Sequence, residues 1–223
     1  MATSKTKKSV VPQFTGLSTE SLDLAESFAF MTESVRIARE GVQDSGTAVP
    51  SNGEVATLTF LAKILAAKSV VVVGTGPGIT SLALFAGMDD NGVLTGIDID
   101  SDWLNEARIA FKVAGIGQHR YRLIAGQPLN VMQKLRDAAY DIVLINGDKL
   151  EYVEFVVQAT RLLRPGGLLL LSDVLFHNLV ADPRSEDDAA YIIREAIQLM
   201  QTDDDFTSII IPLGDGLLAA IKD

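Results

Sequence analysis

The stretch Val70–Asp100, VVVVGTGPGITSLALFAGMDDNGVLTGIDID, decides the fold of this chain. An apolar, β-branched run stops at the glycine-rich turn 74–78, a helical stretch follows, and a second apolar run ends on Asp98. This order predicts a strand, a tight loop, a helix and a second strand with an acid at its tip. Ligands bind at the carboxyl ends of the strands in an open parallel sheet. An acid about twenty residues past a glycine loop suits the hydroxyls of a ribose, so the stretch predicts a nucleoside-binding half-site.

The spacing of the glycines bears on which nucleoside binds. The dinucleotide fingerprint G-x-G-x-x-G/A requires a small residue where this chain has Ile79. Gly74, Gly76 and Gly78 instead follow the pattern G-x-G-x-G, which resembles the loop of S-adenosylmethionine (AdoMet) dependent methyltransferases. The turn alone leaves one alternative open, a tight strand-to-helix turn in an α/β protein that binds no nucleotide.

Composition limits the classes of partner. The chain of 223 residues suits one structural domain, with a tail and helical arm over 1–52 and the main domain over 53–223. A net charge of −10 argues against nucleic acid, because phosphate binding needs a basic face. No apolar stretch reaches the ~18 residues of a membrane span, and Met1–Val11 lacks a signal-peptide core. We therefore expect no membrane partner and, with no cysteines, a cytoplasmic protein.

From Ser69 onward, apolar runs alternate with helical stretches, which predicts βαβ units and a largely parallel sheet covered on both faces. The predicted strands are Val70–Val73, Val93–Ile97, Tyr121–Ala125, Ile142–Ile145 and Leu168–Leu171, followed by a closing hairpin of Phe206–Ile211 and Leu217–Ile221. The predicted helices of this part are Thr80–Ala86, Ser101–Ala114, Leu129–Ala138, Tyr152–Leu163 and Glu186–Gln201.

The segment before the sheet predicts one long helix over Leu17–Gly41, with Ser18 or Thr19 as its N-cap and Gly41 at its end. A loop over Asp44–Asn52 and a second helix over Gly53–Ala67 follow. Three roles stay open for the first helix: it covers the mouth of a substrate site, joins a subunit interface, or packs on the edge of the sheet.

Four further segments show a family resemblance. They are Tyr140–Tyr152 (YDIVLINGDKLEY), Leu163–Phe176 (LRPGGLLLLSDVLF), Val180–Pro183 and the C-terminal IIIPLGDGLLAAIKD. With VGTGPGIT and GIDID, they resemble the catechol and caffeoyl-CoA O-methyltransferase family, including its bacterial members. The resemblance implies a Rossmann-like α/β methyltransferase fold, with a mostly parallel seven-stranded sheet, an antiparallel last strand and helices on both faces. It also implies AdoMet as cofactor, a homodimer, and methyl transfer to a hydroxyl of a small, phenolic acceptor.

The resemblance also implies which residues bind the cofactor. The turn Gly74–Gly78 would lie against the methionine part, Thr80 would bind its carboxylate, and Asp98 would bind the ribose hydroxyls. Gly126 and Gln127 match the segment beside the adenine. The full implied set is Gly74, Thr75, Gly76, Gly78, Thr80, Asp98, Ile99, Gly126, Gln127 and Asn146. For Asp98 the alternative is a cap on the helix that starts at Ser101, a task for which Asp100 is better placed.

Lys149 matches the catalytic lysine of the family. A lysine at that place can take the proton of the acceptor hydroxyl or hold the resulting phenolate by charge. The alternative is a surface lysine that follows a strand and pairs with Asp148 or Glu151.

The chain departs from the family at the metal positions. The family holds a divalent cation with two aspartates and an asparagine, where this chain has Asn146, Ser172 and Asp173. Hard cations such as Mg²⁺ prefer carboxylates, and only one of the three positions is charged. We therefore expect weak or no metal dependence, with Lys149 acting alone or with help from His177, which is otherwise a surface loop histidine.

Two other functions compete with an O-methyltransferase. The altered metal positions allow a non-catalytic relative that binds AdoMet or a nucleoside and acts as a dimeric regulator or partner protein. A Rossmann-type dehydrogenase is the other, and both Ile79 and the C-terminal motif argue against it.

Overall fold

The computed structural model describes residues 16–42 and 49–223. The predicted tail Met1–Ser9 and most of the predicted loop Asp44–Asn52 lie outside these residues. Within the described ranges, no helix is both long and apolar enough to cross a bilayer.

Within the described residues, seven strands form a single sheet. They are β1 (Ser69–Val73), β2 (Val93–Asp98), β3 (Tyr121–Ala125), β4 (Tyr140–Ile145), β5 (Leu163–Ser172), β6 (Phe206–Ile211) and β7 (Leu217–Lys222). Their order in the sheet is β3-β2-β1-β4-β5-β7-β6. Strands β1 to β5 pair in parallel, and β7 runs antiparallel to both β5 and β6. The predicted mostly parallel sheet with an antiparallel last strand is confirmed.

Helices cover both faces of the sheet, as predicted. They are α1 (Thr19–Phe28), α2 (Glu33–Val42), α3 (Asn52–Ile64), α4 (Ile79–Gly87), α5 (Ser101–Val113), α6 (Pro128–Met132), α7 (Tyr152–Leu162) and α8 (Asp188–Thr202). Alternate residues of β1 point to opposite faces: Val70 and Val72 join the core under α2 to α5, while Val71 and Val73 join the core under α6 to α8. Because both faces are buried, the inner parts of β1, β4 and β5 are continuous apolar runs.

The single helix predicted over Leu17–Gly41 is wrong. Helix α1 starts after its N-cap Ser18, as predicted, and ends at Phe28, where Ala29 turns to an extended conformation. Thr32 then starts α2, because its hydroxyl oxygen accepts the N–H of Val35 at 3.4 Å. Gly41 lies inside α2. The apolar periodicity continues through the break, which is why it predicted one helix.

The largest other differences from the predicted boundaries are at α6 and β5. Helix α6 ends at Met132, well before Ala138, and the Arg161 guanidinium donates to the carbonyls of Met132 and Leu135 at this end. Strand β5 starts at Leu163, five residues before the predicted Leu168.

Glu26 of α1 fixes the arm to the main domain. Its carboxylate accepts hydrogen bonds from the Ser51 hydroxyl at 2.8 Å and the Gly53 N–H at 2.7 Å, at the N-terminus of α3. The N–H of Gly214, in the loop between β6 and β7, donates to the same carboxylate at 3.2 Å. A carboxylate at a helix N-terminus also meets the positive end of the helix dipole, so this contact joins three elements beside the sheet.

Candidate active site

A cavity of about 1020 Å³ opens at the carboxyl ends of β1, β2 and β4. Its volume is at the upper end of ligand-site sizes, enough for a cofactor and a small second ligand. Most of the predicted site residues line it: Gly74, Thr75, Gly76, Thr80, Asp98, Ile99, Gln127, Asn146 and Lys149. Two of the predicted cofactor-binding residues, Gly78 and Gly126, do not lie on its wall.

The three glycines of the turn have different structural roles. A Cβ on Gly74 would lie 2.2 Å from the carbonyl oxygen of Asn146, so this glycine lets the loops after β1 and β4 meet. Gly78 packs against Phe111 at the start of α4. Gly76 has a φ of +51°, and a Cβ there would meet nothing within 4 Å. Gly76 therefore presents bare backbone to the cavity, as close approach by a ligand requires.

Asp98 supports this turn from the tip of β2. Its carboxylate accepts the N–H of Gly76 at 2.8 Å and the N–H of Asp100 at 3.0 Å. Asp98 is buried and lines the cavity, and each of its oxygens keeps a second lone pair for a ligand hydroxyl. Asp100 is the N-cap of α5 and accepts the N–H of Asp102 at 2.8 Å. Asp100 and not Asp98 therefore caps this helix, as the sequence indicated.

Lys149 lies in the loop after β4, at the wall of the cavity. Its Nζ donates to Asp173 Oδ2 at 2.8 Å and to the Tyr152 hydroxyl oxygen at 2.6 Å. The Tyr152 hydroxyl in turn donates to the carbonyl of Ser172 at 2.9 Å. Burial raises the pKa of Tyr152 well above its usual range, so the phenol stays protonated and keeps this bond. Lys149 is therefore ion-paired with Asp173 rather than with Asp148 or Glu151, the partners expected for a surface lysine.

Glu54 is a cavity residue that the sequence did not indicate. It lies in the first turn of α3, is 5% exposed, and accepts a hydrogen bond from Ser172 Oγ at 2.9 Å. Burial raises the pKa of Glu54 to about 7, and the nearby Asp173 carboxylate adds to this rise. The one available signal was Ser51-x-x-Glu54, a capping box that predicts a helix start and no ligand. Trp103 and Asp215 also line the cavity without having been predicted.

Comparison with known proteins assigns the chain to a family. The model of the O-methyltransferase family matches residues 25–223. This chain belongs to the O-methyltransferase family. A probable O-methyltransferase of Mycobacterium tuberculosis is 41% identical over 186 residues, covering 83% of each chain. The O-methyltransferase predicted from the sequence motifs is confirmed, and a dehydrogenase is excluded.

Solved structures share the fold of this O-methyltransferase. A Corynebacterium glutamicum protein superposes with a TM-score of 0.82 at 28% identity, covering 89% of this chain and 94% of that one. The O-methyltransferase TomG of Streptomyces achromogenes, involved in tomaymycin synthesis and solved in complex with AdoMet, gives a TM-score of 0.78 at 22% identity. That match covers 90% of this chain and 94% of TomG. The Rossmann-like methyltransferase fold implied by the sequence resemblance is therefore confirmed.

The metal positions of this O-methyltransferase do not suit a divalent cation. Ser172 is fully buried, is absent from the cavity wall, and donates its hydroxyl to Glu54. The carboxylate of Asp173 is already paired with the ammonium of Lys149. Within residues 16–42 and 49–223, no three histidine, cysteine or acidic side chains form a group that could hold a metal ion. Two of the three positions, Ser172 and Asp173, instead belong to an internal network of hydrogen bonds, and the third, Asn146, is an uncharged residue on the cavity wall.

The loop after β5 completes the cavity of the O-methyltransferase. His177 lines the cavity but its side chain is 78% exposed, and its backbone N–H donates to the Asp215 carboxylate at 2.8 Å. Arg194 of α8 holds the same loop, donating to the carbonyls of Leu179, Val180 and Asp182. Arg194 therefore fixes the loop that carries Asp173, Phe176 and His177 to the cavity.

Proposed function

We propose that this O-methyltransferase transfers the methyl group of AdoMet to a hydroxyl of a small, phenolic acceptor, with weak or no need for a divalent metal. The observation that carries the proposal is the Lys149 side chain, held at the cavity wall by Asp173 and Tyr152. The AdoMet complex of TomG, which shares this fold, supports the choice of cofactor.

The described residues fit AdoMet on one side of the cavity. Gly76 leaves open backbone where a side chain would intrude, and Asp98 retains lone pairs for ribose hydroxyls. Thr80, buried in the first turn of α4, lies where its hydroxyl and free helix N–H groups would bind a carboxylate. Gln127 and Trp103 line the same cavity and would border the adenine. AdoMet, when bound, supplies a methyl carbon activated by a positively charged sulfur.

Lys149 would act on the acceptor oxygen. An ammonium has three N–H donors, and two of those of Lys149 are used by Asp173 and Tyr152. The third would bind the acceptor oxygen as a phenolate, whose proton has been released to water. It would hold that anion while the new O–CH₃ bond forms and the S–CH₃ bond breaks, which leaves S-adenosylhomocysteine. A fixed charge that meets developing negative charge in a shielded site is an effective form of catalysis. This arrangement favours charge stabilisation by Lys149 over removal of the proton by a neutral lysine.

The proposal that the enzyme needs little or no metal follows from the same network. Asp173 pairs with an internal cation, and Ser172 is turned towards Glu54. The ammonium of Lys149 would therefore supply the positive charge that a metal supplies in a metal-dependent enzyme, and no step of the mechanism needs a cation from solution.

We also propose that the enzyme is a homodimer that works in the cytoplasm. Helix α1 has no buried residue, and its apolar side chains Leu24 and Phe28 are exposed, as is Phe30 in the break that follows. Contiguous exposed apolar residues mark interaction surfaces. Of the three roles left open for the arm, this exposure favours the subunit interface. Light scattering of the purified chain tests this assignment, and a monomer at micromolar concentration would contradict it.

Calorimetric titration and labelled transfer test the proposed function. We expect binding of AdoMet and S-adenosylhomocysteine but not of NAD, and a labelled methylated product when phenols are added with labelled AdoMet. AdoMet binding without product from any phenol would favour the non-catalytic alternative. Absence of AdoMet binding would overturn the proposed function.

A further inference from the structure

The charges on the cavity wall are unbalanced. Acidic side chains come from both sides of it, with Asp98 and Asp100 near the glycine turn and Glu54, Asp173 and Asp215 on the acceptor side. Within residues 16–42 and 49–223, Lys149 is the one lysine or arginine that lines the cavity. AdoMet carries a positive sulfur, which suits the acidic residues near the turn. The excess of acidic residues on the acceptor side needs another explanation.

Glu54 is the almost fully buried acidic residue of the acceptor side, and the nearby Lys149 ammonium only partly offsets its charge. The other acidic residues that line this side are half-buried or exposed. Lys149 forms its ion pair with Asp173, and Asp215 bonds the backbone N–H and ring Nδ1 of His177. Glu54 takes part in no ion pair with any residue that the structure describes, although it is 95% buried. Its hydrogen bond from Ser172 comes from an uncharged hydroxyl group. A buried carboxyl without a cation is costly in free energy, and the cost falls when a cationic ligand binds beside it.

The geometry points to Glu54 as a specificity-determining residue that selects acceptors bearing a positively charged amino group. This inference rests on the proposed function, because it concerns the acceptor of that reaction. Acceptors that carry a carboxylate, or the phosphates of a coenzyme A thioester, would meet Glu54, Asp173 and Asp215 with only Lys149 to offset them. An attraction in place of a repulsion between charges about 4 Å apart, in a partly shielded site, changes affinity by about tenfold or more.

The competing explanation is that Glu54 only caps α3. The N–H of Glu54 donates to Ser51 Oγ at 3.1 Å, as in a capping box. Glutamine serves at this position of a capping box as well as glutamate does, and it can also accept the Ser172 hydroxyl. The substitution Glu54→Gln therefore removes the charge and keeps the helix start. Glu154→Gln, on the exposed side of α7 and away from the cavity, is the matched control.

Three catechols with different side-chain charge test the inference: dopamine (cationic), 4-ethylcatechol (neutral) and 3,4-dihydroxyphenylacetate (anionic). Affinities are measured by calorimetry at pH 7.5, on protein saturated with S-adenosylhomocysteine. We expect dopamine to bind at least about tenfold more tightly than the anion. In Glu54→Gln this ratio should fall to within about threefold, and in Glu154→Gln it should stay at the wild-type value.

Several results would overturn the inference: equal affinities for the three probes, no binding of dopamine, or a ratio that survives Glu54→Gln. Labelled transfer to the same probes separates this outcome from failure of the proposed function. Dopamine that binds selectively but receives no methyl group would contradict methyl transfer and leave the charge selection standing. Methylation of all three catechols, together with equal affinities for them, would support methyl transfer and contradict the charge selection.

Discussion

The hydroxyl of Ser172 donates a hydrogen bond to the carboxylate of Glu54 at 2.9 Å, joining the end of β5 to the start of α3 across 118 residues of sequence. This bond turns Ser172 away from the cavity wall at a position where the resemblance placed a metal ligand. The same contact brings a buried acid to the acceptor side of the site. The proposed acceptor side therefore departs from the family pattern at Ser172, while the glycine turn and Asp98 on the proposed cofactor side match it.

The Glu54 carboxyl should make stability depend on pH. Burial raises its pKa in the folded protein to about 7, above the value in the unfolded chain. The folded state therefore binds the extra proton between about pH 4.5 and 7, and the free energy of unfolding falls as pH rises through this range. Glu54→Gln lacks this titration, so its stability relative to wild type should increase from pH 5 to pH 8 in urea unfolding. The same stability difference at both pH values would contradict the account.

Asp98→Asn should weaken cofactor binding. The asparagine NH₂ would face an N–H donor at Gly76 or Asp100, and one acceptor for the ribose would be lost. A loss of about 1.4 kcal/mol or more corresponds to at least a tenfold rise in the Kd for S-adenosylhomocysteine, measured by calorimetry. Asp100→Asn is the control, since asparagine is an equally good N-cap. Equal weakening in both variants would argue against a specific role for Asp98.

Asp141 should be a stability determinant unrelated to catalysis. Its carboxylate accepts the N–H groups of Lys68 and Ser69, at 2.6 and 2.8 Å, and the Nε of Arg164 at 2.5 Å. Burial raises its pKa, but these donors outweigh burial and the net shift is downward. Its stabilisation is thus present above the usual pKa of an aspartate and is lost as pH falls through the lower folded value.

Asp141→Asn should therefore cost about 1–3 kcal/mol at pH 7, because buried donors lose a charged acceptor. Unfolding in urea at pH 7 and pH 3 measures this cost, which should shrink at the lower pH. A neutral effect at pH 7 would contradict the role assigned to Asp141.

Lys149 variants should separate charge stabilisation from proton removal. Lys149→Ala should lower kcat by about 10²–10⁴ while the Kd for S-adenosylhomocysteine stays close to wild type, because the proposed role of Lys149 is on the acceptor and not on the cofactor. Lys149→Arg retains a charge that cannot act as a base, so it should keep part of the activity. If Lys149→Arg is as inactive as Lys149→Ala, proton removal is the favoured role of Lys149. Full activity of Lys149→Ala would exclude both charge stabilisation and proton removal.

The sequence predicted the sheet, and it predicted most of the residues that meet at the cavity, because both depend on local patterns. The glycine turn, the acid at Asp98 and the apolar strands all lie within short stretches, and parallel strands bring their carboxyl ends together whatever the details. The acceptor half depends on contacts across the chain, such as that of Glu54 with Ser172, which no local pattern contains. The break at Ala29 was missed for a related reason: the apolar periodicity continues across it, and only the cap at Thr32 marks the second helix.

The most direct test of the central claim is the rate of labelled methyl transfer from AdoMet to a panel of phenols, measured in EDTA and again with added Mg²⁺. The account predicts transfer in EDTA, at a rate within about threefold of that with Mg²⁺, because the Lys149 ammonium and not a metal holds the acceptor oxygen. Transfer that occurs only with added metal, or no transfer under either condition, would contradict it.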